Sequence, residues 1–239
     1  MDTLFLEIII IIFLLSIIQS VIGVGLLIIG TPILLAYNFD FFIVLQILLP
    51  CSLMVNFYQL VNEGQKKFPP FFKKTFLLYC LPFVPLGLFL TYIIKEQVNF
   101  KLLIGSLILI ILIFKKIYKV KKISEVKKKY ISIFIGIFHG LTNLGGTLIS
   151  LFLLTINNNK IKTEIDYSYL FLAGTQYLFL IIFLNGKFEI KNVILVLTSF
   201  VSCLVGNIIN KYINKNGFLI ILNTMIFVSA LIAIISNFR

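Results

Sequence analysis

Apolar residues run along this chain in eight long stretches separated by short polar connections. Read from the pattern, they are Leu4 to Tyr37, Phe41 to Val61, Thr75 to Ile94, Val98 to Phe114, Tyr130 to Ile156, Tyr167 to Leu184, Asn192 to Ile209 and Gly217 to Phe238. A helix needs about 20 mostly apolar residues to cross a hydrocarbon core of about 30 Å, and six of the stretches are near that length. The first is not. Its 34 residues, as one straight helix, would extend about 50 Å, so it must tilt strongly, protrude or break. Breakers stand in it, "GVG" at Gly23 to Gly25 and "GTP" at Gly30 to Pro32, and the fifth stretch has its own at Gly140, Gly145 and Gly146.

The two long stretches correspond at a fixed offset. Sliding the sequence by 120 residues sets Gln19 on His139, Ser20 on Gly140, Gly23 on Asn143 and Gly25 on Gly145. At nearly the same offset, "LPFVPLGLFLTYII" around Gly87 meets "FVSCLVGNIINKYI" around Gly206. The pattern therefore predicts an all-α integral membrane protein of about eight transmembrane segments. Two tandem four-segment repeats, 1–119 and 131–239, flank a basic connection at 120–130, and the first segment of each repeat is broken at a glycine-rich motif.

Composition agrees. The chain is 60% hydrophobic and 13% charged, against about a quarter charged in soluble domains, and the apolar stretches leave no room for a separate soluble domain. The opening stretch has no basic flank and carries Asp2 and Glu7, so it reads as a first membrane helix and not as a cleavable signal. The formal charge of +12 comes from lysines in the short connections, where cations set topology, so no nucleic-acid partner is expected. If each long stretch crosses once, fifteen Lys and Arg residues lie on one side and six on the other; if each turns back as a hairpin, the split is sixteen to five. Both arrangements make the loops 62–74 and 115–130 cytoplasmic, and differ in placing the termini inside or outside. Cys51, Cys80 and Cys203 lie within apolar stretches without metal-ligand spacing.

Non-helical backbone survives at membrane depth only where protein buries it or it lines a watery cavity. Paired breaks therefore point to a substrate site, where half-helix N-termini offer N–H donors to an anion and glycine permits close approach. Around the first break stand Gln19 and Ser20, with Gln46, Ser52 and Asn56 on the next helix; around the second, His139, Thr142, Asn143 and Thr147, then Thr175 and Gln176. No Asp, Glu, Lys or Arg is expected deep in a span, so carboxylate-based ion coupling is not expected either. Any single glycine here also suits close helix packing, His139 also suits an interhelical donor, and Asn56 and Gln176 also suit interhelical hydrogen bonding. Paired-histidine metal motifs, buried carboxylate pairs, Walker motifs and Rossmann fingerprints are all missing, so no enzyme, cofactor or metal site is expected.

"SIIQSVIGVGLLIIGTPILLAY" (Ser16 to Tyr37) resembles the first signature of the TauE/SafE sulfite exporter family, and "GIFHGLTNLGGTLISLFLL" (Gly136 to Leu154) resembles its second, followed as in that family by "LAGTQYLF". Gln19, Gly23, Gly25 and Pro32 match the first motif, and His139, Asn143, Gly145 and Gly146 the second. Where many members have three glycines in a row, this chain has Leu26 and Thr147. The resemblance implies a secondary transporter that exports small sulfur-containing anions, such as sulfite or organosulfonates, across the bacterial inner membrane. The expected site lies between the repeats at Gln19, Gly23, Gly25, Asn56, His139, Thr142, Asn143, Gly145, Gly146, Thr175 and Gln176. Expected partners are a small anionic substrate, membrane lipids and a second copy in a homodimer. A passive small-anion channel and a non-transporting membrane subunit are the competing expectations.

Overall fold

The computed structural model describes residues 3–62, 69, 71–117, 124–155, 161–184, 186, 189–212 and 215–238. The centres of both expected basic loops, 63–68 and 118–123, lie outside the described residues. No strand occurs among the described residues, as expected where lipid leaves backbone groups to bond within their own helix. The helices are α1 (Thr3–Ile22), α2 (Leu26–Ala36), α3 (Phe41–Asn62), α4 (Leu77–Tyr79, entered through a π-turn at Phe72–Phe76), α5 (Phe83–Ile94), α6 (Phe100–Ile117), α7 (Glu125–Thr142), α8 (Gly145–Thr155), α9 (Ile161–Phe183), α10 (Ile190–Asn210) and α11 (Lys215–Ile235). Among the described residues, five stretches are long and apolar enough to cross a membrane: Thr3–Ile22, Phe41–Asn62, Phe72–Ile94, Glu164–Phe183 and Ile190–Asn210.

Each expected stretch is helical, with three local differences. Between α4 and α5 the chain turns at Cys80–Pro82, where Leu81 N–H reaches back to the Phe76 carbonyl at 3.2 Å. Pro82 and Pro85 then sit at the cap and in the first turn of α5, where a missing N–H leaves no intrahelical bond unmade. Helix α7 begins at Glu125, because the Ser124 hydroxyl caps it by accepting from Lys127 N–H at 3.4 Å. Helix α9 begins at Ile161, six residues before the apolar pattern does, and this corrects the expectation of spans free of carboxylates. Glu164 and Asp166 are both fully buried.

Both long stretches fold back on themselves. A Cβ built at Gly30 in α2 would lie 3.2 Å from Leu15 Cδ1 in α1, although a straight helix would hold these residues about 22 Å apart. Further from the turn, Tyr37 at the end of α2 lies against the Glu7 carboxylate near the start of α1. At the second break, a Cβ on Gly145 would collide with His139. The broken stretches are hairpins, each a longer helix followed by a short one.

Packing pairs exchange between the halves. Helix α1 lies on α10 and α7 on α5, while α3 meets α9 and α6 meets α11. The first two contacts share one design. Gly136 and Gly140, one turn apart on α7, bring its backbone against Cys80 and against Gly87 on α5, with no room for a side chain at any of the three glycines. Ser16 and Ser20 stand at the corresponding places on α1, and Gly206 of α10 packs directly on Ser20. Outside, the large apolar residues of α10 (Ile190, Ile194, Leu197, Val201, Leu204, Ile208) are exposed, while Asn192, Ser199, Ser202 and Gly206 face inward. A helix with small and polar residues inside and bulky apolar residues outside is matched to lipid.

The helix ends gather at two faces. On one, Asn99 hydrogen-bonds Asn237, Lys101 Nζ reaches Asn38 Oδ1 at 2.5 Å, and Lys191 sits 5.7 Å over the Phe5 ring. On the other, Lys129 sits 5.0 Å over Tyr79, Phe71 meets Phe152 at 5.5 Å, and Asn62 lines one cavity with Lys211.

Candidate functional site at two helix breaks

Both breaks are built by the same backbone move. Helix α1 ends in a left-handed residue, Gly23 at φ 86°, whose N–H donates to the Gln19 carbonyl at 2.7 Å. Helix α7 ends in another, Asn143 at φ 63°, whose N–H donates to the His139 carbonyl at 2.8 Å. This is the single-bond left-handed cap, which glycine and asparagine adopt at least cost. A glutamine from the following long helix then holds the last carbonyls of each. Gln59 Nε2 donates to Ser20 O at 2.6 Å and Gln19 O at 3.4 Å; Gln176 Nε2 donates to His139 O at 3.4 Å and Gly140 O at 3.5 Å.

The side chains at the two breaks are used differently. At the first, Gln19 Oε1 accepts from Leu26 N–H at 3.1 Å and so caps the start of α2. Its Nε2 donates to Asn56 Oδ1 at 3.0 Å and Ser52 Oγ at 3.3 Å, and Asn56 Nδ2 donates to Ser52 Oγ at 3.2 Å. Gln19, Ser52 and Asn56 are buried completely and satisfy one another.

At the second break, the Thr142 hydroxyl donates to Phe138 O at 2.7 Å and accepts from Leu144 N–H at 3.2 Å. Asn143 Nδ2 donates to Thr31 Oγ1 of α2 at 3.0 Å. Much is left over. Both ring nitrogens of His139, Oδ1 of Asn143 and Oε1 of Gln176 are buried without a hydrogen-bond partner. A buried polar group without a partner costs about 1–3 kcal/mol, so several together mark a place where a polar ligand is expected.

The comparisons with known proteins bear on what that ligand is. The family model of the sulfite exporter TauE/SafE matches residues 8–232. The chain belongs to the TauE/SafE family. No match was found among curated proteins or among solved structures. TauE/SafE is a transporter family and not an enzymatic one.

Within this TauE/SafE chain, the expected residues divide. Gln19, Gly23, Gly25 and Asn56 come together at the first break, and His139, Thr142, Asn143, Gly145, Gly146 and Gln176 at the second. Thr175 is half-buried on α9, and its hydroxyl is tied to neither break among the described residues. Gly146 packs on the ring of Tyr169, and Gly23 lies beside Asp166, with a Cβ there falling 3.5 Å from Oδ1.

Four residues of the site escaped the sequence reading. Gln59 plays at the first break the part that Gln176 plays at the second, but its distance from the break differs, 40 residues from Gln19 against 37 from His139 to Gln176. Allowing that shift would have found it. Thr91 donates to Gly87 O at 3.1 Å and Leu141 O at 3.2 Å, closing α5 onto the end of α7. Thr31 lies in the "GTP" stretch without having been singled out there, and Asp166 carries no sequence signal beyond lying near an apolar stretch.

Proposed function

We propose that this TauE/SafE chain is a secondary transporter that exports small sulfur-containing anions, such as sulfite, across a bacterial inner membrane, and that the second break holds the anion. The observation that carries the reading is the group of buried, unpartnered polar atoms at His139, Asn143 and Gln176, in a chain of an exporter family. Amide N–H groups in the first turn of α8, at Gly145 and Gly146, suit the anion's oxygens, because a helix N-terminus offers donors and partial positive charge. The first break caps its own short helix with Gln19, so we assign it the role of a fixed counterpart.

The exchanged packing of α1 with α10 and α7 with α5 supports a duplicated chain, 1–119 and 131–239. The hairpins favour the sixteen-to-five charge split, with the loops 62–74 and 115–130 cytoplasmic and both termini outside. The repeats then have inverted topology, an arrangement that suits alternating access around a central site.

The test is counterflow of radiolabelled sulfite into proteoliposomes preloaded with unlabelled sulfite. Saturable exchange in the wild type, lost in Asn143→Ala and in His139→Gln, is the expected result. Flux that never saturates would indicate a channel, and no flux of sulfite, organosulfonates or small carboxylates through folded protein would end the transport reading.

A further inference from the structure

We propose that the anion held at the second break carries its own hydrogen-bond donor, so that the site selects protonated or hydroxylated oxyanions over bare ones. The proposal rests on the second break being the ligand site. It starts from the orientation of Gln176. A side-chain amide has one donating and one accepting end, and its neighbours decide which points where. Two carbonyls, His139 O and Gly140 O, lie against one end, so that end is the nitrogen. The other end is an acceptor, buried and without a partner.

Gln59 repeats the arrangement at the first break. Its Nε2 faces the carbonyls of Gln19 and Ser20, and its Oε1 is likewise buried and unpartnered. Asn143 adds a third acceptor, since Nδ2 is engaged by Thr31 and Oδ1 has no partner.

Gln176 and Asn143 are anchored on the same atom. The His139 carbonyl accepts from Gln176 Nε2 and from the backbone N–H of Asn143, so both residues stand at the end of α7. An oxyanion without a donor would find N–H groups at the start of α8, but its lone pairs would meet those of Gln176 Oε1. An O–H on the ligand turns that repulsion into a hydrogen bond. An uncharged imidazole has one N–H and one lone pair, so in that form His139 can serve either kind of ligand atom.

Two stable monoanions isolate this feature. Ethanesulfonate and 2-hydroxyethanesulfonate have the same charge and nearly the same size and differ by one O–H. Each is added as a competitor in the sulfite counterflow assay at a single pH. The hydroxylated anion should compete about tenfold better, the value of one buried acceptor gaining a partner. In Gln176→Met, normalised to that variant's own rate of sulfite exchange, the ratio between the two competitors should shrink towards parity. Equal competition by the two in wild-type protein, whether strong or absent, would overturn the proposal and leave the exporter reading standing. Absence of counterflow with sulfite, organosulfonates and small carboxylates alike would remove the reading itself and the proposal with it.

Discussion

The side-chain amide of Asn143 donates to the hydroxyl of Thr31 at 3.0 Å, tying the turn of the second hairpin to the short helix of the first. Both residues are buried, Thr31 completely. In lipid a hydrogen bond of this kind is worth about 1 kcal/mol, and its loss leaves two buried polar groups without partners. The pair should therefore couple. A double-mutant cycle of Asn143→Ala and Thr31→Val, read by thermal unfolding in detergent, should give an interaction of about 1 kcal/mol. Strict additivity would show that the breaks are held together by packing alone.

The α5 to α7 contact depends on the absence of side chains. A Cβ at Gly87 would collide with the Ile137 carbonyl and approach Gly140 Cα to 3.0 Å, and both obstacles are backbone. Gly174 on α9 has only Leu53 Cδ2 nearby, at 3.6 Å, an ordinary contact. Gly87→Ala should cost about 2–3 kcal/mol or prevent accumulation of folded protein, whereas Gly174→Ala should be close to neutral. Comparable melting temperatures for the two variants would contradict the close approach of α5 and α7.

Gln19 makes three hydrogen bonds with one side chain. Removing it in Gln19→Ala strands Leu26 N–H and Asn56 Oδ1, at a cost of about 3 kcal/mol. Gln46 belongs to the same sequence cluster, yet it lines a cavity of about 250 Å³ beside Asn192 and makes no hydrogen bond among the described residues. Gln46→Ala should change stability by less than about 0.5 kcal/mol. Chemical unfolding of the two variants in parallel checks the contrast.

Much of this architecture is legible before any coordinates. The offset that sets Gln19 on His139 and Gly23 on Asn143 pairs residues whose backbones do the same thing, because a left-handed cap needs a glycine or an asparagine at one position and leaves a mark. Gln59 leaves a weaker mark, since its spacing from the break differs by three residues from that of Gln176. Glu164 and Asp166 mislead, because a carboxylate ends an apolar stretch by pattern while tertiary packing buries it. The hairpins are illegible for another reason. Folding back or crossing once leaves the two most basic loops on the same side, so charge cannot distinguish them, and the deciding contacts join residues far apart in the chain.

Those contacts make the topology testable. Asn99 hydrogen-bonds Asn237, which puts the connection between α5 and α6 at the same face as the end of the described chain. Asn62 and Lys211 share the opposite face. Single crossings by the two long stretches would reverse two of these placements, setting the residues near 212 with Gln97 and Asn237 with Asn62. Single cysteines at Gln97, Asn237, Asn62 and Tyr212 in cells, probed with a membrane-impermeant maleimide, distinguish the arrangements, because the native Cys51, Cys80 and Cys203 are all buried. Hairpins require Gln97→Cys and Asn237→Cys to label from outside, and Asn62→Cys and Tyr212→Cys only after permeabilisation. Tyr212→Cys labelling together with Gln97→Cys in intact cells would rule the hairpins out, and with them the inverted repeats proposed above.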